Sequence, residues 1–82
     1  MIERNIRVLA NLEARPAALF VQAASQFVSN IYLRIDSKTI NAKSIMGVIS
    51  LGVLDGQNVT IIAEGQDEEQ AVSKLESFLS TV

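Results

Sequence analysis

Apolar and polar residues alternate at the start of the chain, where Ile2, Ile6 and Val8 interleave with Glu3, Asn5 and Arg7. A period of two predicts a half-buried strand over residues 2–9. Arg4 breaks the alternation and is placed at a sheet end. After a connection at 10–13, Arg15-Pro16 opens a helix over about 15–27, since proline is tolerated in the first helical turn. Leu19, Phe20, Ala23, Ala24 and Phe27 follow at helical spacing, with Gln22, Ser25 and Gln26 opposite. Ile31, Leu33 and Ile35 alternate with Tyr32 and Arg34, predicting a strand at 30–36. A turn at Asp36-Ser37-Lys38 leads to a short strand at 39–42, and the tight connection favours an antiparallel hairpin. A second turn, Leu54-Asp55-Gly56-Gln57, precedes a strand over 58–64 in which Val59, Ile61 and Ala63 share one side. Asp67 caps the last helix, with Gln70 reaching back as in a capping box. Ala71, Val72, Leu75, Phe78 and Leu79 form its buried stripe.

The predicted order is βαββαβα. Two long helices, each with one apolar face, must cover one face of a four-stranded sheet. The other face carries Glu3, Asn5, Arg7, Tyr32, Arg34, Thr39, Asn41, Thr60 and Glu64, which suits an antiparallel sheet open to water. The fold class is therefore α+β, an open-faced β-sandwich. At 82 residues the chain is expected to be a single domain, 1–82.

The stretch Asn41-Ala42-Lys43-Ser44-Ile45-Met46-Gly47-Val48-Ile49-Ser50-Leu51-Gly52 departs from this economy. It is a short helix opened by a serine and closed by a glycine in the C-cap position. Ile45, Met46, Val48, Ile49 and Leu51 cover more than the single stripe that a surface helix needs. A chain this short can hardly bury a helix on every side, so part of it is expected to stay exposed as a docking patch formed by Ile45, Met46 and Ile49. At the helix N-cap, the Ser44 hydroxyl can simply satisfy an orphan backbone N–H, worth about 1 kcal/mol. The sharper reading is a phosphorylation site, placing about −1.5 to −2 charges beside the patch. Composition does not choose between the two.

Composition narrows the chemistry. Hydrophobic residues make up 49% and charged residues 20%, as in globular proteins. A net charge of −2 and a pI near 4.9 give no basic field for nucleic acid. With neither cysteine nor histidine, the chain has no thiolate nucleophile, no disulfide and no zinc site of the usual kind. It also lacks the side chain best suited to proton transfer near neutral pH. No cofactor is expected. No apolar run has the length of a signal-peptide core or a membrane span, so a cytoplasmic protein is expected. Arg4, Arg7 and Arg34 could form a basic strip on the open sheet face, but only Tyr32 flanks them. Asp67, Glu68 and Glu69 are accounted for by the first turn of a helix, without metal. Glu13-Ala14-Arg15-Pro16 precedes a helix. It reads either as a carboxylate near a positive helix end with Arg15 solvated, or as a small anion site built on Arg15, which Glu13 would oppose.

Two of these segments, Glu13-Ala14-Arg15-Pro16-Ala17 and Asn41-Ala42-Lys43-Ser44-Ile45-Met46-Gly47-Val48, resemble the active-site and regulatory-site signatures of the bacterial HPr family. These are the histidine-containing phosphocarriers of the sugar phosphotransferase system. The likeness extends through Ile61-Ile62-Ala63-Glu64-Gly65 and the acidic start of the last helix, and it implies the same open-faced sandwich. In the family the residue before Ala-Arg-Pro is the histidine that takes a phosphoryl group from enzyme I; here it is Glu13. A carboxylate is already negative, is a weaker nucleophile and would give a labile acyl phosphate. The resemblance therefore puts phosphocarrier transfer in doubt and leaves the serine site intact. In Gram-positive members the serine matching Ser44 is phosphorylated by HPr kinase/phosphorylase, and the product binds the regulator CcpA as corepressor. A branch that keeps the serine without the histidine, Crh (catabolite repression HPr-like), is similar in that respect, with glutamine as its usual substitute. By this likeness the chain is a non-enzymatic regulatory phosphoprotein. Ser44 is its acceptor, Arg15, Ile45, Met46 and Ile49 are its partner-binding residues, and neither nucleic acid nor membrane is a direct partner. A homodimer is left open. The alternative is a phosphocarrier using Glu13 as acceptor.

Overall fold

A computed structural model describes residues 1–9, 14–52 and 56–80, apart from the side chains of residues 14–16. The elements run β1 (Ile2–Arg7), α1 (Ala14–Ala24), β2 (Asn30–Ile35), β3 (Lys38–Asn41), α2 (Ile45–Leu51), β4 (Asn58–Glu64) and α3 (Glu68–Ser80). The sheet order is β1-β4-β2-β3, with every neighbouring pair antiparallel. β1 and β2 are thus parallel to each other with β4 between them, as are β3 and β4 across β2.

Register follows from the alternation. Ile6 lies opposite Val59, Ile2 opposite Ala63, and Leu33 opposite Ile61. Slipping any of these pairs by one residue would turn the apolar set outward. On the inner face Ile31, Leu33, Val59, Ile61 and Ala63 are fully buried against Phe20, Val72, Leu75 and Leu79 from the helices. The Phe20 and Phe78 rings meet edge to face at 5.5 Å. α3 lies across β1 and β4, α1 leans on α2 and α3, and α2 sits against β3. The open face is polar, as expected.

Four details differ from the sequence expectation. The ladder of β1 stops at Arg7, yet Val8 stays inward and fully buried, exchanging backbone hydrogen bonds with Gly56 and Gln57. α1 ends at Ala24, three residues early. Beyond it Gln26 and Phe27 donate to carbonyls three residues back, which tightens the chain into a turn. Its buried residues are Ala17, Phe20, Val21 and Ala24, and Leu19 faces solvent at 52% exposure. Finally, Asp67 does not serve its own helix as the expected cap. Its carboxylate accepts the N–H groups of Val28 and Ser29, both at 3.0 Å, and the Ser29 hydroxyl. The reach-back bond is made by Glu68, which accepts the N–H of Gly65 at 3.1 Å. The Leu54-Asp55 half of the predicted turn lies outside the described residues.

The basic strip does not form. Arg4 points to the helix side of the sheet edge and pairs with Glu76 of α3 at 2.9 Å. Arg34 pairs with Glu3 across the open face at 3.0 Å. Only Arg7 of the three has no acidic partner among the described residues.

Candidate functional site

The approach to α2 is fixed before the helix begins. The Asn41 side-chain oxygen accepts the Lys43 N–H at 2.8 Å, and its carbonyl accepts the Ser44 N–H at 3.1 Å. Short polar side chains that bond their own backbone in this way hold a turn. Ala42 is buried and donates to the Ile31 carbonyl, so the turn is tied to β2. Lys43 reaches away from the turn and donates its ammonium to the Phe27 carbonyl at 2.7 Å. This bond joins the turn to the connection that Asp67 holds from the other side.

Ser44 then caps the helix. Its backbone is extended at φ −108° and ψ 115°, its Oγ accepts the Gly47 N–H at 3.1 Å, and its carbonyl accepts the Val48 N–H at 3.0 Å. In the capping bond the oxygen is the acceptor, so the hydroxyl keeps its own proton to donate. The far end closes on Gly52, whose left-handed backbone (φ 68°) suits glycine and turns its N–H onto the Ile49 carbonyl. Val48 and Leu51 face the core, while Ile45, Met46 and Ile49 are 45%, 73% and 38% exposed. The over-apolar helix is thus half core and half surface.

Beside this surface a groove of about 440 Å³ runs between α1 and α2, lined by Ala18, Leu19, Val21, Gln22, Ser25 and Ile45. Leu19 therefore joins Ile45 on one apolar face, whereas its helical spacing with Phe20, Ala23, Ala24 and Phe27 predicts the face toward the sheet. The signal was present: Ala17, Phe20, Val21 and Ala24 also make a complete i, i+3, i+4, i+7 stripe, and that stripe leaves Leu19 outside. Among the side chains described, the groove lining is uncharged.

Arg15 stands in the first turn of α1, and its side chain is not among those described. Glu13 lies outside the described residues. Among the described residues there is no group of three or more His, Cys, Asp or Glu that could hold a metal ion. No helix among them is long and apolar enough to cross a membrane.

The open-faced α+β sandwich is the fold of the HPr phosphocarriers of the phosphotransferase system. Residues 3–81 match the family model described as PTS HPr component phosphorylation site, and the chain belongs to the HPr family. It is 51% identical over 74 residues to the HPr-like protein Crh of Bacillus subtilis, covering 90% of this chain and 87% of that one. To the HPr-like protein Crh of Halalkalibacterium halodurans it is 47% identical over 81 residues, 96% of each chain. The crystal structure of the phosphocarrier protein HPr from Bacillus anthracis superposes with a TM-score of 0.92 at 43% identity, covering 96% of each chain. A crystal structure of Bacillus subtilis Crh, a dimer with a swapped domain, superposes with a TM-score of 0.79 at 51% identity over 90% of this chain and 85% of that one.

Proposed function

We propose that the chain, acting as a single HPr-like domain, is a regulatory phosphoprotein of carbon catabolite repression and not itself an enzyme. HPr kinase/phosphorylase phosphorylates Ser44, and the phosphoprotein then binds a CcpA-type transcription regulator as corepressor. The observation that carries this reading is the juxtaposition on α2: a serine whose hydroxyl proton is not spent in its capping bond, followed at once by the exposed Ile45, Met46 and Ile49. An apolar patch lets a partner dock by burying surface. A phosphate at its edge adds charge-assisted hydrogen bonds that the unmodified serine cannot make. Arg15, at the start of the neighbouring helix, contacts partner or phosphate. The likeness to two Crh proteins supports this branch of the family, and the dimeric Crh structures support a homodimer as one of its states.

The test is phosphorylation. Incubated with ATP and HPr kinase, Ser44 takes up phosphate at a rate comparable to that of an ordinary HPr alongside, and the phosphoprotein binds the regulator at least about tenfold more tightly than the unmodified chain. No uptake, or equal affinity of the two forms, refutes the reading. The description of the matching family as a phosphorylation site of the PTS component also favours a second reading, a phosphocarrier with Glu13 as acyl-phosphate acceptor. Phosphoenolpyruvate and enzyme I would then yield a hydroxylamine-labile phosphoryl group, which the regulatory reading does not produce.

A further inference from the structure

Gly47 is the third residue of α2, and its backbone is not in the left-handed region, so conformation does not require glycine there. An interior glycine weakens a helix relative to alanine, and a seven-residue helix has little strength to spare. The reason for the glycine lies in what a side chain would meet. A Cβ at position 47 would stand 3.3 Å from Ser44 Oγ, 3.4 Å from Ser44 Cβ and 3.5 Å from Ile40 Cβ. The two Cβ distances are ordinary van der Waals contacts, and only Ser44 Oγ must give by a few tenths of an ångström, which rotation about its side-chain bond allows, so the unmodified chain has room for a methyl group. A substituent on Oγ changes this. The Gly47 N–H already draws Oγ to that side of the helix at 3.1 Å.

We infer that Gly47 is a specificity-determining residue of the Ser44 site, its missing side chain leaving room for a phosphoryl group to be built on Oγ. The inference rests on the phosphoserine reading above. In the reaction a lone pair of Oγ attacks the γ-phosphorus of ATP. The Oγ–phosphorus bond forms as the bond to the β,γ-bridging oxygen breaks, ADP leaves with that electron pair, and the hydroxyl proton passes to a base of the kinase. The incoming phosphorus and its three oxygens need angular space around Oγ, and a methyl group at 47 would occupy part of it. Docking of the kinase on Ile45, Met46 and Ile49 would be unaffected.

The experiment compares the parent, Gly47→Ala and Ser50→Ala as full chains with ATP and HPr kinase, following phosphate by intact mass and unfolding by thermal melts. Ser50 is exposed on the same helix, so Ser50→Ala raises helix propensity without touching Ser44. We expect Gly47→Ala to melt at or above the parent, its kcat to fall at least about tenfold and its KM to stay within about threefold. Ser50→Ala should match the parent. A parental kcat in Gly47→Ala overturns the inference, as does an equal slowing in Ser50→Ala, which would assign the effect to helix stiffness. Failure of Gly47→Ala to fold also overturns it, because the unmodified chain must accommodate the methyl group. A parent that the kinase leaves unmodified refutes the Ser44 reading itself, whereas an active parent with an equally active Gly47→Ala removes only the role of Gly47.

Discussion

Ser44 caps α2 in this structure and, on the proposed reading, also accepts phosphate, and substitutions separate the two roles. Ser44→Ala removes the phosphate acceptor, but it also removes the oxygen that satisfies the Gly47 N–H at 3.1 Å. Losing an N-cap of this kind costs about 1 kcal/mol, within a range of roughly 0.5–2 kcal/mol. For a domain of this size each kcal/mol moves the melting midpoint by about 4–8 °C, so Ser44→Ala should melt about 4–8 °C below the parent. If α2 instead opens locally, the loss appears as roughly fivefold faster hydrogen exchange at the Val48 N–H. Ser44→Asn restores a capping acceptor without adding charge and should recover most of the loss, since asparagine ranks with serine at this position. Circular dichroism melts and amide exchange measure both quantities. The binding experiment then becomes interpretable: a variant that caps the helix yet cannot be phosphorylated isolates the contribution of phosphate to regulator affinity. An unchanged midpoint and unchanged α2 exchange in Ser44→Ala would refute the capping role, and the loss of regulator binding could then be assigned wholly to phosphate.

Three further outcomes are expected. Gly65 adopts φ 154°, and a Cβ there would stand 2.7 Å from the Ser29 Cα, so Gly65→Ala should destabilise by about 2–5 kcal/mol from backbone strain and crowding together; urea unfolding measures it, and a loss below about 0.5 kcal/mol would sink the argument. The Ser29 hydroxyl and then the Val28 and Ser29 N–H groups hold the Asp67 carboxyl below its ordinary value, so the unfolded chain takes up this proton first. Its contribution to stability is therefore complete above the ordinary carboxylate range and is lost as pH falls through the folded-state value; Asp67→Asn should lose stability near neutrality and flatten the dependence of the urea midpoint between about pH 6 and pH 2, and parallel curves for the two proteins would contradict this. Met46→Glu, at a 73% exposed position, should leave the melting midpoint within about 2 °C yet weaken regulator binding by tenfold or more, and parental affinity in a calorimetric titration would remove Met46 from the partner surface.

The parts of this fold that depend on local periodicity were legible. The alternation in Asn58–Glu64 fixed a central strand to the residue, and the serine–glycine bracket around α2 located both of its caps. The exposed half of α2 followed from counting apolar residues against the space available in a short chain. Less legible was the orientation of α1, because two overlapping helical stripes fit the same residues, and the one built on Ala17, Phe20, Val21 and Ala24 is the one buried. Leu19 falls outside that stripe and lines the groove between α1 and α2. Asp67 illustrates a second limit. Its sequence neighbours make it look like a cap for the helix that follows, and a local rule cannot see the two backbone N–H groups that arrive from Val28 and Ser29, almost forty residues earlier.

That long-range bond has a consequence for the candidate site. A seven-residue helix is not stable alone in water, so the position of Ser44 must come from what the flanking turn is tied to. The ties form a relay across the chain: Asp67 fixes the backbone at Val28 and Ser29, the adjacent Phe27 carbonyl receives Lys43, and Lys43 precedes Ser44. Lys43 is the basic residue nearest Ser44 in sequence, and its ammonium is committed to a carbonyl before any phosphate is added. A phosphate on Ser44 would have to break that bond to be neutralised by Lys43. On the proposed reading, a charge added at Ser44 is therefore not drawn inward by Lys43 while that bond holds. It remains at the rim of the apolar face, where a partner that brings its own cation gains both the ion pair and the buried surface. A partner lacking that cation gains only the apolar contact, and this difference is how one small patch can distinguish the modified chain from the unmodified one.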